Sequence, residues 1–109
     1  MSKSLTTIDP IPVPDRIATH PGEVLSEEFL KPFGLSVHGL AMALRVPATR
    51  IGAIAKCERA ITADTALRLA RFFGTSAEFW INMQAMHDLT KARQTIGKTI
   101  EQDVKPHAA

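Results

Sequence analysis

The sequence predicts an all-α fold of five short helices. Three observations predict it. Apolar residues recur at three- and four-residue spacing from Leu40 to Leu89. Helix-starting and helix-stopping residues punctuate those runs. No convincing strand pattern precedes residue 96. The length of 109 residues is enough for one domain and too short for two ordinary ones. A hydrophobic content of 45% with 22% charged residues fits a soluble globular chain, and the absence of Tyr points to a core of Leu, Ile, Ala, Phe and Met.

The elements follow in order. Residues 1–19 carry Pro10, Pro12 and Pro14 among polar residues without any period, and are expected to form a flexible arm. Pro21 and Glu23 suit the first turn of a helix, where a missing N–H costs nothing and an acid complements the dipole. That helix should run to about Leu30, stopped by Pro32 and Gly34. Ser36 caps a second helix ending near Arg45, with Leu40, Ala41 and Leu44 as its buried stripe. After the turn "RVP", a third helix runs from about Pro47 to Lys56. Ile51, Ile54 and Ala55 face inward there, and Thr49, Gly52, Ala53 and Lys56 share the outer side. Thr62 caps a fourth helix with Asp64 in its first turn, Ala66, Leu69, Ala70 and Phe73 as its stripe, and Gly74 as its stop. Thr75 and Glu78 have capping-box spacing before a fifth helix bearing Phe79, Trp80, Met83, Met86 and Leu89. From about Gly97 the chain reads as a short strand or a frayed tail. The organisation is therefore an arm (1–19), a helical domain (20–95) and a tail (96–109).

Several function classes drop out. The single Cys57 excludes an internal disulfide and a Cys-rich zinc site. His20, His38, His87 and His107 are scattered without metal-ligand spacing. No Gly-rich phosphate loop or nucleophile–base arrangement is present, and the adjacent Glu27 and Glu28 point to different sides of a helix. Neither catalysis, a metal nor a cofactor is expected. The first residues lack a secretory signal and no run is long enough to span a membrane, so a cytoplasmic protein is expected. Lys56 and Arg59 beside Cys57 would favour a thiolate, which makes Cys57 either a redox-sensitive group or an incidental thiol.

Charge is unevenly spread. Residues 1–35 hold three Lys/Arg against five Asp/Glu, residues 36–74 six against two, and residues 75–109 four against four. The basic excess lies on the second to fourth helices, where "LAMAL", "RVP" and "ATRIGAIAK" have the order and lengths of a helix-turn-helix. In such a unit the second helix enters the major groove of DNA and the first crosses the backbone.

The stretches "HPGEVLSEEFL", "LAMALRVPATRI" and "AITADTALRLARFFGTSAEFWINMQAMHDL", in that order, resemble the HigA/VapI group of XRE-type helix-turn-helix proteins over about residues 20–92. The resemblance implies a λ-repressor-like fold and the role of antitoxin in a type II toxin–antitoxin pair. It implies binding of palindromic double-stranded operator DNA as a homodimer, repression of its own operon, and neutralisation of a HigB/RelE-like messenger-RNA-cleaving toxin. A stand-alone XRE-family regulator without a toxin, and a toxin-binding module that no longer binds DNA, are the alternatives.

Carried over by position, the groove-facing residues are Ala48, Thr49, Gly52 and Ala53, with Arg50 and Lys56 at the margins and Arg45 and Arg59 as phosphate contacts. The face is sparse. Ala48, Ala53 and the Thr49 methyl suit thymine methyls, the Thr49 hydroxyl suits a base edge, and Gly52 permits close approach. Arg50 is expected to be the best base contact; packing of these small residues on a protein partner is the other reading. Two features depart from the family pattern. Cys57 stands where Gly takes up a left-handed turn, so either the turn carries about 1 kcal/mol of strain or it takes another shape, and Pro47 stands at a Ser/Thr cap position. Phe79, Trp80, Met83, Met86 and Leu89 are core or dimer seam, and a roughly 75-residue body has little room to bury them all.

Overall fold

The computed structural model describes residues 15–108, and among these every regular element is helical. Five helices form. The first, α1, covers 21–33 and joins an α-helical start (Pro21–Val24), a widened π segment (Leu25–Leu30) and a final α turn (Lys31–Phe33). The others are α2 (Val37–Leu44), α3 (Ala48–Ala55), α4 (Ala63–Phe73) and α5 (Ala77–Asp103).

His20 opens α1 as its N-cap, its Nδ1 accepting the Gly22 N–H at 2.8 Å, with Pro21 at the first helical position. Pro32 does not stop this helix at Leu30 as expected. The Lys31 N–H reaches back five residues to the Ser26 carbonyl, and this wider turn carries the backbone through the proline. Gly34, at φ 64°, ends the helix instead: its N–H bonds the Lys31 carbonyl and that of Leu35 bonds Leu30.

Leu25, Leu40, Leu44, Ile51, Ile54, Ile61, Leu69 and Trp80 make the core. Trp80 is wholly buried and donates its indole N–H to Thr75 Oγ1 at 2.8 Å. That bond explains why the expected capping box fails. Thr75 is occupied with the indole, and Ser76 caps α5 by accepting the Phe79 N–H at 3.0 Å. Thr62 occupies the N-cap position of α4 but makes no side-chain cap bond.

Both ends of the chain correct the sequence reading. The expected strand or frayed tail from Gly97 is helical to Asp103: residues 91–103 are mostly good helix formers, and the cost of about 1 kcal/mol for one interior Gly does not break the run. Most of the expected arm, residues 1–14, lies outside the described residues. Residues 15–19 are bound, not free. Thr90 Oγ1 accepts the Ala18 N–H and the His87 ring bonds the Ala18 carbonyl, both at 2.8 Å, while Gln94 reaches the Asp15 carbonyl.

Candidate nucleic-acid interface

The helix-turn-helix is α2 and α3. Ser36 caps α2 by accepting the Gly39 N–H at 2.9 Å. The corner after it is made by Arg45, held left-handed at φ 62°, with its N–H on the Met42 carbonyl and the Val46 N–H on Ala41. No glycine marks this corner, so the sequence reading missed it. Pro47 sits at the N-cap of α3 in an extended conformation and supplies no capping side chain.

The C-terminal end of α3 closes in the same way around Cys57, at φ 63°, with its N–H on Ile54 and the Glu58 N–H on Ala53. Of the two outcomes open at this position, a strained left-handed cysteine or a turn of another shape, the structure has the first. The redox-sensitive reading is not favoured: burial, and then the charge of Glu23 on α1, push the thiol above its ordinary value.

Three contacts hold that end of α3. A β-carbon on Gly22 would lie 1.8 Å from the Ile54 carbonyl oxygen, so only glycine lets α1 abut α3 there. Ser26 Oγ donates to the Ala55 carbonyl at 3.2 Å. Buried Gln84 accepts the Ile61 N–H at 2.8 Å and fixes the loop that leaves the unit. Arg68 Nη1 ties down the end of α2 by donating to the Leu44 carbonyl at 2.8 Å.

Thr49 and Lys56 are exposed and Ala53 is half-buried, so the outer stripe of α3 is an open face of small and basic groups. Arg45 and Arg59 are exposed in the corners before and after it. Ala48 is half-buried against the core, and Gly52 faces α2, where an added β-carbon would meet Val37 at 3.7 Å. Arg50, the expected best base contact, is engaged within the chain. Its side chain turns to α4, where Nη1 donates to Asp64 Oδ1 at 3.0 Å and lies 3.5 Å from Thr65 Oγ1. Arg68 Nε donates to the same carboxylate oxygen at 2.8 Å, and the two guanidiniums hold the Asp64 carboxyl below its ordinary range. The i, i+4 spacing of Asp64 and Arg68 was visible in the sequence; its link to Arg50 needed the packing of α3 on α4.

The expected dimer seam divides. Trp80 is core and cannot meet a partner, and Met83 packs against that core. Met86 is half-buried, Phe79 lies against Phe29 and Trp80, and Leu89 is exposed. Among the described residues no cluster of metal-ligating side chains occurs and no helix is long and apolar enough to cross a membrane.

No family model matches the chain. Virulence-associated protein I of Dichelobacter nodosus is 58% identical over 77 residues, covering 71% of each chain. Among solved structures, an addiction module antidote protein of the HigA family from Coxiella burnetii aligns with a TM-score of 0.78 at 48% identity, over 84% of this chain and 99% of that one. The Pseudomonas aeruginosa antitoxin HigA with the higBA promoter aligns with a TM-score of 0.79 at 44% identity, over 83% and 98%.

Proposed function

This chain belongs to the HigA family of helix-turn-helix antitoxins, and from that we propose that it binds the operator of its own operon as a dimer, represses it, and neutralises a HigB/RelE-like toxin. It acts in the cytoplasm as a binding protein, not as a catalyst.

The observation that carries the DNA reading is the open outer stripe of α3 between two exposed arginines. Thr49, Ala53 and Lys56 lie at i, i+4 and i+7, with Arg45 and Arg59 in the corners beyond the helix. We assign Thr49 and Ala53 to base edges and thymine methyls, with Ala48 at their margin, and Lys56, Arg45 and Arg59 to phosphates. Gly52 lies toward α2 at an ordinary packing distance from Val37, and Arg50 acts as a clip between α3 and α4. A face with so few paired donors draws its affinity from phosphates and much of its specificity from DNA shape.

A gel-shift titration on the DNA upstream of the gene, over about 50–200 mM salt with unrelated duplex as competitor, tests this. A specific, salt-sensitive shift that Lys56→Ala weakens is the expected result. Equal affinity for both duplexes, with and without the neighbouring toxin, would sink operator recognition and leave a protein-binding module. Co-purification with the product of the adjacent gene tests the toxin half separately.

A further inference from the structure

All five phenylalanines of the chain gather in one place, around its single tryptophan. Phe29 and Phe73 form the floor, half-buried with ring centroids 4.7 Å apart. Phe33, Phe72 and Phe79 stand around them, on the last turn of α1, the last turn of α4 and the first turn of α5. The Phe33 and Phe72 rings lie 5.7 and 5.0 Å from Phe73, and the Phe79 ring lies 6.4 Å from Phe29. Trp80 fills the core beneath, yet these three rings remain 58%, 44% and 39% exposed. Rings from three helices with so much area left in water make a contact surface rather than a core.

The patch lies away from the reading helix. The α4 helix begins beside α3, where Asp64 meets Arg50, and Phe72 is about 12 Å further along it at helical rise. The α1 helix also begins at α3, where Gly22 abuts Ile54, and Phe33 is roughly 15 Å beyond. A partner on these rings therefore leaves Thr49, Ala53 and Lys56 open to DNA. The rim is acidic on two sides. Glu27 and Glu28 are exposed beside Phe29, and Glu78 is exposed beside Phe79. Lys31 pairs with Glu27 at 2.7 Å, whereas among the described residues Glu28 and Glu78 make no ion pair. On the third side Arg71 lines, with Phe72, a groove toward α2.

We propose that this patch docks the ribonuclease partner of the chain, through an arginine-bearing surface of that partner. The inference rests on the toxin reading above and names where that protein sits. A protein that cleaves messenger RNA carries Arg and Lys to hold phosphates, and guanidiniums both stack on aromatic faces and pair with carboxylates. Exposed Phe rings with unpaired carboxylates at their edge offer the two contacts together. Aromatic anchors inside a charged rim are also the usual centre of a protein interface. Phe79 thereby leaves the expected dimer seam, and the chain has separate surfaces for its protein and its DNA.

Calorimetric titration of the full chain with the purified product of the adjacent gene tests the assignment, alongside a gel shift on the upstream DNA and sedimentation of the chain alone. Phe33→Ser and the double variant Glu28→Lys/Glu78→Lys are compared with wild type and with Lys56→Ala, each checked by thermal melting. We expect Phe33→Ser to weaken the protein complex about tenfold or more. The charge variant should weaken it with a smaller salt dependence, and both should shift DNA as wild type does. Lys56→Ala should do the reverse. All three replaced side chains are exposed, and the charge variant carries the test should Phe33→Ser lower the melting temperature. Full affinity of both variants for the product would overturn the docking patch and leave the toxin reading standing. No binding of the product by wild type would remove both. A changed sedimentation of Phe33→Ser alone would show the patch joining copies of this chain, and would equally overturn the proposal.

Discussion

The two ends of the reading helix are held differently. At the C-terminal end of α3, Gly22 presses on the Ile54 carbonyl, Ser26 bonds Ala55, and Gln84 fixes the loop beyond. At the N-terminal end, Pro47 offers no cap and one side-chain clip, Arg50 to Asp64, joins the helix to α4. In the first turn of α3 Thr49 is the exposed residue, while Ala48 and Ile51 pack inward, and the first turn of a recognition helix is the part that meets base edges. Eight residues would not hold a helix in water; the packing of one end keeps the other available.

The contrast breaks most sharply at Gly22. Gly22→Ala forces a methyl into the Ile54 carbonyl, where backbone meets backbone and neither can move alone. The expected cost is about 3 kcal/mol or more, a fall in melting temperature of about 15 °C. Unchanged melting would mean that α1 does not anchor α3.

Arg50→Ala tests the weaker end. As a clip it should cost about 1 kcal/mol of stability and weaken operator and unrelated duplex alike. A base-reading Arg50 would instead cost on the order of 1–3 kcal/mol of operator affinity and relax preference at one position. A saturation series of operator variants against both proteins separates the two.

How much of this contrast could be read from sequence follows from the range of each interaction. Ser36, Gly34 and Gly74 act within one or two turns, and the caps and stops they signal formed, as did the inward face of Ile51 and Ile54. Arg45 hid a left-handed corner because a residue with a β-carbon gives no local sign of one. Arg50 looked like a reader because its captor, Asp64, is brought near only by the packing of α4. Trp80 and Leu89 shared one apparent stripe. Which was core depended on where α1 and α4 end, a long-range fact. Gly97 suggested an end, yet its neighbours favoured helix strongly enough to continue.

His20 places a pH dependence on the anchored end. Burial, and then the charge of His87, hold its pKa below the ordinary 6.5; Asp88 pulls it up and Lys91 down. Its Nδ1 must stay unprotonated to accept the Gly22 N–H. A base with a depressed folded-state pKa binds its proton first in the unfolded chain. Stability is therefore complete above about 6.5 and is lost as pH falls through the folded value. The melting temperature should drop by a few degrees between about pH 7 and 5, and His20→Asn, which keeps a capping oxygen, should flatten that slope. An equal slope in both proteins would assign the pH dependence elsewhere.

The smallest effects separate the two corners, which share a backbone and differ in what they carry. Arg45 and Cys57 both hold positive φ, each at a cost of about 1 kcal/mol that glycine would remove. Cys57→Gly should raise stability by up to about 1 kcal/mol and leave duplex binding unchanged, because its thiol faces Glu23 on α1. Arg45→Gly should gain the same backbone relief but lose one cation at the open end of α3. Its binding should weaken on every duplex, with the salt slope smaller by about one. If Arg45→Gly left the slope unchanged, the α2–α3 corner would not touch phosphate, and the reading helix would meet DNA further along its length.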